Sequence, residues 1–370
     1  MILKELEIHN FRNHVSFHIE EPKQLIIIIG RNATGKTNII EAIQLVTSLD
    51  SFRNPQWDAV INNDANSANI RVEFLQNTRD IEVQLDVREG RRQYSCNGKK
   101  KNRFDLVGLI PAITFIPDDL MLIKDSADIR RKLIDDTGQQ LSSTYLKLLN
   151  DYKKIVKQRN AVLKENQTER YSSSLLESWD ENLVVLGALL FAHRIRLYKQ
   201  YIEKSSFCFH QISENEEFSS RYRASFSGSD EESSLDDLLL MERAEIEKRL
   251  AEALVNCRED ERIRGKTLVG PHRDEISFFI DGYESRRFAS QGQQRSIALA
   301  LKLGQLALIK EISGNHPVLL LDDVMSELDV TRREALIRTI DGQIQTIITA
   351  TDLSCFNEGL LQNAQIIRLD

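Results

Sequence analysis

Apolar residues follow different rhythms in successive stretches of this chain. Ile2, Leu6 and Ile8 open a strand pattern, and Leu25 to Ile29 is an unbroken apolar run ending at Gly30. Such a run suits a strand covered on both faces. From Asn38 to Leu49 the apolar positions Ile39, Ile40, Ile43, Val46 and Leu49 recur at helical spacing, which predicts a helix lying on a core. Between Ile70 and Phe104 the pattern becomes alternation: Val72 and Phe74, then Ile81, Val83, Leu85 and Val87, with an Asn97-Gly98 turn. Antiparallel strands and hairpins are expected there.

From Ile129 to about Glu261 the pattern is helical, carried first by Tyr145, Leu149, Tyr152, Val156 and Leu163 and then by Leu175, Trp179, Leu183, Leu190, Leu197 and Tyr201. The Ser- and acid-rich stretch Ser213 to Asp237 interrupts it and reads as a mobile connection rather than a packed element. No internal repeat and no sustained heptads are present, which disfavours a long coiled coil. After Gly270 come strand-like Ile276, Phe278 and Ile280, a helix from Gln293 to Ile312, and the apolar runs Val318–Leu321 and Ile344–Thr349. Alternating strand and helix implies a parallel sheet. The expected class is α/β. Residues 1–125 and 262–370 would form one head with a mixed sheet and an antiparallel β subdomain, and 126–261 an inserted helical lid or arm.

Composition changes this picture little. Of 370 residues, 41% are hydrophobic and 28% charged, which argues against wholesale disorder. Forty-nine Lys and Arg against 56 Asp and Glu give a formal charge of −7, excluding a uniformly basic coat but not a local basic face. Cys96, Cys208, Cys257 and Cys355 have no paired spacing, so neither a zinc cluster nor a disulfide framework is indicated. The N-terminus lacks a basic start before a long apolar core, and Leu183 to Ala192 is too short to cross a bilayer. A cytoplasmic protein without membrane contact is expected.

Three segments carry candidate chemistry. Gly30-Arg31-Asn32-Ala33-Thr34-Gly35-Lys36-Thr37 matches the phosphate-binding loop in full, after a buried strand and before a helix. Its glycines let backbone N–H groups wrap phosphates, Lys36 reaches the β- and γ-phosphates of ATP, and Thr37 offers an oxygen to Mg²⁺. Val318 to Asp323 is an apolar strand delivering two carboxylates at its C-terminal end, where open α/β sheets bind ligands. Asp322 would hold Mg²⁺, directly or through water, and Asp323 would polarise the attacking water as general base. Ser290-Gln291-Gly292-Gln293 opens a helix, with Gly292 standing 30 residues before Asp322. Alone it is a good helix cap and nothing more.

With the other two segments, it resembles the signature of ABC-type ATPases, in which the signature of one subunit closes over nucleotide held by another. Further segments occur in order: Asn10-Phe11-Arg12-Asn13, Ser51-Phe52-Arg53, Phe115 to Leu120, Arg130 to Asp135, Gln158 to Ala161, Gly270-Pro271-His272-Arg273-Asp274 and Leu321 to Val324. Together they resemble the bacterial RecF family over almost the whole chain. The resemblance implies an ABC-type P-loop ATPase head with a helical insertion. It also implies an ATP- and Mg²⁺-dependent DNA-binding protein of recombinational gap repair, forming a homodimer on ATP and working with RecO and RecR to help load RecA. Lys36, Asp323 and Ser290 would then be the catalytic set, with Ser290 acting in trans.

Departures from the family pattern qualify this. Asn32-Ala33-Thr34 replaces a more usual Asn-Gly-Gln; Asp323 agrees with RecF chains but is a methylene shorter than the glutamate of most ABC-type ATPases, which implies slow turnover. Ser326-Glu327-Leu328-Asp329 resembles the loop that crosses the subunit interface in that superfamily. Where many relatives carry a switch histidine, this chain has Thr349 or Thr351.

Arg88, Arg91, Arg92, Lys99, Lys100, Lys101 and Arg103 surround Asn97-Gly98 as the densest basic patch, either a DNA-backbone surface or a solvated loop. Lys147, Lys153, Lys154, Lys157 and Arg159 form a second candidate, or simply the charged face of an amphipathic helix. His272 reads as structural rather than metal-binding. The competing readings are an SMC-like chromosome-maintenance or defence ATPase head, a transporter ATPase subunit and a small-molecule kinase. The first usually carries coiled coils or a nuclease, and the kinase would need no signature.

Overall fold

The computed structural model describes all residues except 54, 77, 166–172, 229–233, 341–343 and 370. The chain opens with β1 (Ile2–Phe11), β2 (His14–Glu20), β3 (Leu25–Gly30) and α1 (Lys36–Thr47). Strands β4 (Ser67–Gln76), β5 (Arg79–Arg88), β6 (Arg91–Cys96) and β7 (Lys99–Lys101) follow, then α2 (Arg103–Leu106) and β8 (Ala112–Phe115). Three long helices come next, α3 (Ala127–Leu141), α4 (Ser143–Glu165) and α5 (Ser173–Ile212). After β9 (Phe218–Arg223) stand α6 (Leu235–Leu240), α7 (Arg243–Asn256) and α8 (Arg258–Arg264). The last part holds β10 (Glu275–Ile280), β11 (Tyr283–Glu284), α9 (Ser285–Phe288), α10 (Gln291–Ser313), β12 (Val318–Asp322), α11 (Val324–Glu327), α12 (Val330–Ile340), β13 (Thr346–Ala350), α13 (Glu358–Asn363) and β14 (Gln365–Leu369).

A five-stranded parallel sheet, ordered β14-β3-β13-β12-β8, joins the two ends of the chain. The apolar run of β3 serves both its faces: Ile26 and Ile28 enter one core, and Ile27 and Ile29 the other. The first core lies under α1 and the inner face of an antiparallel sheet ordered β2-β1-β4-β5-β6-β7. Alternation sets that inner face, with Leu6 opposite Val72 and Val72 opposite Val83. The second core lies on the other face of the parallel sheet, where α10 packs against β8 and α5 packs on α10.

Two expectations are corrected. Ile276, Phe278 and Ile280 do not join the parallel sheet; β10 lies in a separate antiparallel sheet, β11-β10-β9. Its third strand comes from the Ser213–Asp237 stretch, which is packed over much of its length: Phe218, Tyr222, Ala224 and Phe226 are buried, and Phe218 stacks between Phe209 and Phe278. Four apolar side chains among serines and acids suffice to anchor a strand when a neighbouring edge waits for it. Residues 229–233 of the stretch lie outside the described residues.

The Arg130–Asp135 and Gly270–Asp274 segments meet inside the helical region. Arg194 of α5, 1% exposed, donates to both Asp135 oxygens at 2.9 and 3.0 Å and to the Pro271 carbonyl. Tyr145 donates to Asp135 and Tyr222 to Asp274. Burial lowers His272 to a pKa of about 3, so it is neutral and accepts the Tyr152 hydroxyl proton at 2.7 Å. Its neighbours are hydrogen-bonding groups, in keeping with a structural histidine.

Candidate functional site

The backbone builds the phosphate loop before any side chain contributes. β3 ends at Gly30, and α1 begins at Lys36 with Gly35 as its N-terminal neighbour at φ 103°. A Cβ on Gly35 would lie 2.4 Å from His14 Nε2 and 2.6 Å from Asn13, so both its dihedral and its surroundings require glycine. The first turn of α1 turns its free N–H groups and positive dipole end toward the loop. Arg31, Asn32 and Ala33 are exposed at its rim, and Thr34 donates back to the Arg31 carbonyl. Lys36 is largely buried, and its ammonium rests on the Gly30 and Arg31 carbonyls at 2.6 and 2.9 Å.

The loop and the paired carboxylates, 285 residues apart in sequence, are joined directly: Thr37 Oγ1 donates to Asp322 Oδ1 at 3.0 Å. Thr349 donates to the same oxygen at 2.7 Å and accepts from the Asp323 N–H at 3.0 Å. β12 and β13 set this geometry, because Asp322 pairs in register with Thr349. Asp322 and Thr349 are buried, whereas Thr351 is exposed. Asp323 is half-buried with φ 52°, a left-handed conformation that a short acid tolerates at the start of α11. Burial raises its pKa, Lys36 opposes the rise and Asp322 adds to it.

One residue was not anticipated. Glu41 of α1 is fully buried and takes Arg12 through two bonds at 2.9 and 3.1 Å, Arg53 at 3.0 Å and Ser51 at 2.8 Å. Two guanidinium groups on one carboxylate leave a net positive charge beside the loop. The Asn10–Asn13 and Ser51–Arg53 segments thus converge on α1, where Asn38 also bonds Asn13 and Arg53. A carboxylate inside the apolar stripe Ile39, Ile40, Ile43 was the available signal.

Ser290 and Gln291 are exposed, and Gly292 and Gln293 half-buried. They form a reciprocal cap: Ser290 Oγ accepts the Gln293 N–H at 3.2 Å, and Gln293 Oε1 accepts the Ser290 N–H at 2.8 Å. No hydrogen bond or ion pair joins residues 290–293 to residues 30–37 among the described residues of this single chain. The signature helix does reach the Ser326–Asp329 loop, through Arg295–Glu327 at 3.2 Å and through Arg332, which holds both Ser296 and Asp329.

The basic residues are divided. Arg91 and Arg92 sit at the Glu89-Gly90 turn, opposite Arg88 and Val87, whereas Lys99 to Lys101 pair with Cys96 to Tyr94 at the other end of β6. Arg92 stacks on Trp57 at 4.6 Å, and Arg88 faces Glu89 at 3.7 Å. The three lysines are exposed on the sheet's edge strand, where lysine also discourages edge pairing. Arg159 does not belong to the charged face of α4. It is fully buried, bonded to Asp180 at 2.7 Å, Glu261 at 2.6 Å and Thr267 at 3.0 Å.

With this geometry in view, the family model for the RecF/RecN/SMC N-terminal domain matches residues 2–368. The DNA replication and repair protein RecF of Oceanobacillus iheyensis is 33% identical over 375 residues, covering 100% of this chain and 98% of the relative. The chain belongs to the RecF family. A solved structure of the recombination mediator protein RecF with ATP in the RecFOR pathway is 31% identical, with a TM-score of 0.86 over 96% of this chain and 93% of that one. The Smc head domain of Pyrococcus furiosus, 17% identical with a TM-score of 0.52 over 99% of this chain and 93% of that one, shares the fold. The expected ABC-type ATPase head fold is therefore the fold of this RecF-family chain. Among the described residues no helix is long and apolar enough to cross a membrane.

Proposed function

We propose that the chain is an ATP-dependent DNA-binding protein of recombinational repair at replication gaps. It dimerises on ATP, hydrolyses it slowly, and assists RecA loading together with RecO and RecR. Support comes from the repair and pathway names of its full-length relatives and from the ATP of a solved relative. The observation that carries the reading is the Thr37–Asp322–Thr349 junction, which joins the phosphate loop to the carboxylate pair at the C-terminal ends of neighbouring strands of the parallel sheet.

In this reading Lys36 exchanges two backbone carbonyls for the β- and γ-phosphate oxygens, and the loop N–H groups 30–37 take the rest. Thr37 and Asp322 offer paired hard oxygens that fit Mg²⁺, which when bound neutralises phosphate charge. Asp323 receives the proton of the attacking water. Ser290, Gln291, Gly292 and Gln293 complete the site of the partner subunit, since among the described residues they make no bond to the loop of their own chain. Residues 126–261 serve as a helical lid or arm on the head formed by 1–125 and 262–370. Arg91, Arg92 and Lys99 to Lys101 contribute phosphate contacts to DNA of any sequence.

Sedimentation with and without ATP and duplex DNA tests the reading. A dimer formed on ATP and strengthened by DNA supports it; a monomer at saturating ATP contradicts it. The composite site is tested by mixing Lys36→Met with Ser290→Arg, each inactive alone. Each mixed dimer holds one intact site, so it should regain about half the turnover of a wild-type dimer.

A further inference from the structure

We propose that Glu216 is a positioning residue for the Ser290–Gln293 signature, acting through the Gln293 amide. This rests on the reading that the signature completes the nucleotide site of a partner subunit. Glu216 lies in the Ser213–Asp237 stretch, to which the sequence assigns no function.

Gln293 Nε2 donates to Glu216 Oε1 at 2.7 Å, while its Oε1 accepts the Ser290 N–H at 2.8 Å. An amide can turn over by half a rotation and exchange its donor and acceptor ends. An ionised carboxylate only accepts, so it forbids the turned-over form, which would set the amide oxygen against it. Glu216 therefore selects the orientation in which the amide oxygen meets the Ser290 N–H. The cap is then fixed from both sides, and the Ser290 hydroxyl, already accepting from the Gln293 N–H, keeps its own proton to donate outward.

Glu216 is itself held. Its second oxygen accepts from Ser213 Oγ at 2.6 Å, just beyond the end of α5. The next residue, Glu217, exchanges backbone and side-chain bonds with Asp281 at 2.9 and 2.8 Å in the β10–β11 turn. α5 has 40 residues, roughly 60 Å of helix, and runs closely along α10. Tyr201 donates to the Leu301 carbonyl at 2.8 Å, and Gly304 leaves room for Ser205, whose Oγ would lie 2.3 Å from a Cβ there. Glu216 thus ties the signature to the long helix of the arm, giving any load on that helix a route to the ATP site.

The test places Glu216→Ala on one or the other member of the mixed pair. In that pair the surviving site uses the loop of the Ser290→Arg subunit and the signature of the Lys36→Met subunit. With Glu216→Ala added to the Lys36→Met subunit, turnover should fall roughly tenfold to a hundredfold with unchanged KM for ATP. Added to the Ser290→Arg subunit, it should leave turnover intact. Glu216→Gln, which keeps the size and can still accept, should recover part of the loss and carries the comparison if the alanine variant melts early. Equal tolerance on both subunits, or a loss confined to KM, overturns the role of Glu216 alone. Failure of the unmodified mixed pair to regain turnover overturns the composite site, and this role with it.

Discussion

The two halves of the candidate site are built in opposite ways. On the phosphate-loop side the key polar groups have partners within the chain: Lys36 rests on loop carbonyls, Asp322 takes two threonines, and Glu41 takes two arginines and a serine. On the signature side Ser290 and Gln291 are exposed, and the bonds that fix the segment come from a capping box and from Glu216. The first half holds its polar groups on partners within the chain before a ligand arrives, and Lys36 exchanges its two carbonyls for phosphate oxygens when one binds. The second presents donors to the outside, as a surface that closes on something else must. On the reading proposed above, the first half binds nucleotide in one subunit and the second reads it from another.

The largest effect is expected from Lys36→Met, which removes the ammonium from the loop side alone. ATP binding should weaken about a hundredfold, and ATP-driven dimerisation of the variant with itself should vanish from sedimentation profiles. A variant that still dimerises on ATP would show that the loop side is not the switch.

Asp323→Asn separates binding from chemistry. Turnover should fall on the order of 10²–10⁴-fold, while ATP still binds and the dimer persists on a sizing column. The same variant has a stability signature. Burial raises the folded pKa of Asp323, so ionising it near neutral pH works against folding. The asparagine variant should therefore melt above wild type at neutral pH, with the gap closing as the pH falls toward about 4.

Arg194→Met tests how far the helical region depends on its buried charges. Asp135 would lose its only guanidinium partner among the described residues, costing about 3–5 kcal/mol in chemical denaturation. A loss below about 1 kcal/mol would mean that water reaches Asp135.

The smallest effects are expected on the basic hairpin. Lys99, Lys100 and Lys101 changed to Glu should weaken DNA binding without altering ATP affinity, and should flatten the dependence of log K on log salt by about 0.9 for each phosphate no longer neutralised. Because Arg91 and Arg92 lie at the other end of β6, their replacement should add to this effect rather than duplicate it. An unchanged salt slope would leave the three lysines as guards of an edge strand.

Much of the parallel sheet was legible in the chain itself. The β3 run, the loop, the α1 stripe and the β12 run each carry a local pattern strong enough to fix an element, since burial on two faces or on one stripe constrains every residue in it. The loop's backbone form was legible for the same reason, because its spacing is written into glycines. Thr349 against Asp322 was not, since it depends on the register of β12 with β13. Glu41 was missed because a lone carboxylate on an apolar helix face does not name its partners.

Local pattern was thus enough to settle which segments near the phosphate loop are strands and helices, where the two carboxylates lie along β12, and which family the chain resembles. Three other features arise only on assembly. β9 forms within an acid-rich stretch because Phe218 and Tyr222 gain a core only when β10 offers an edge. Arg159 and Arg194 become buried because carboxylates brought from 21 to 102 residues away offset the cost of removing guanidinium groups from water. Glu216 meets Gln293, 77 residues on, because α5 and α10 pack side by side and bring the end of one to the start of the other. Periodicity records how a residue meets its nearest layer; which distant charge completes it is settled only when the layers assemble.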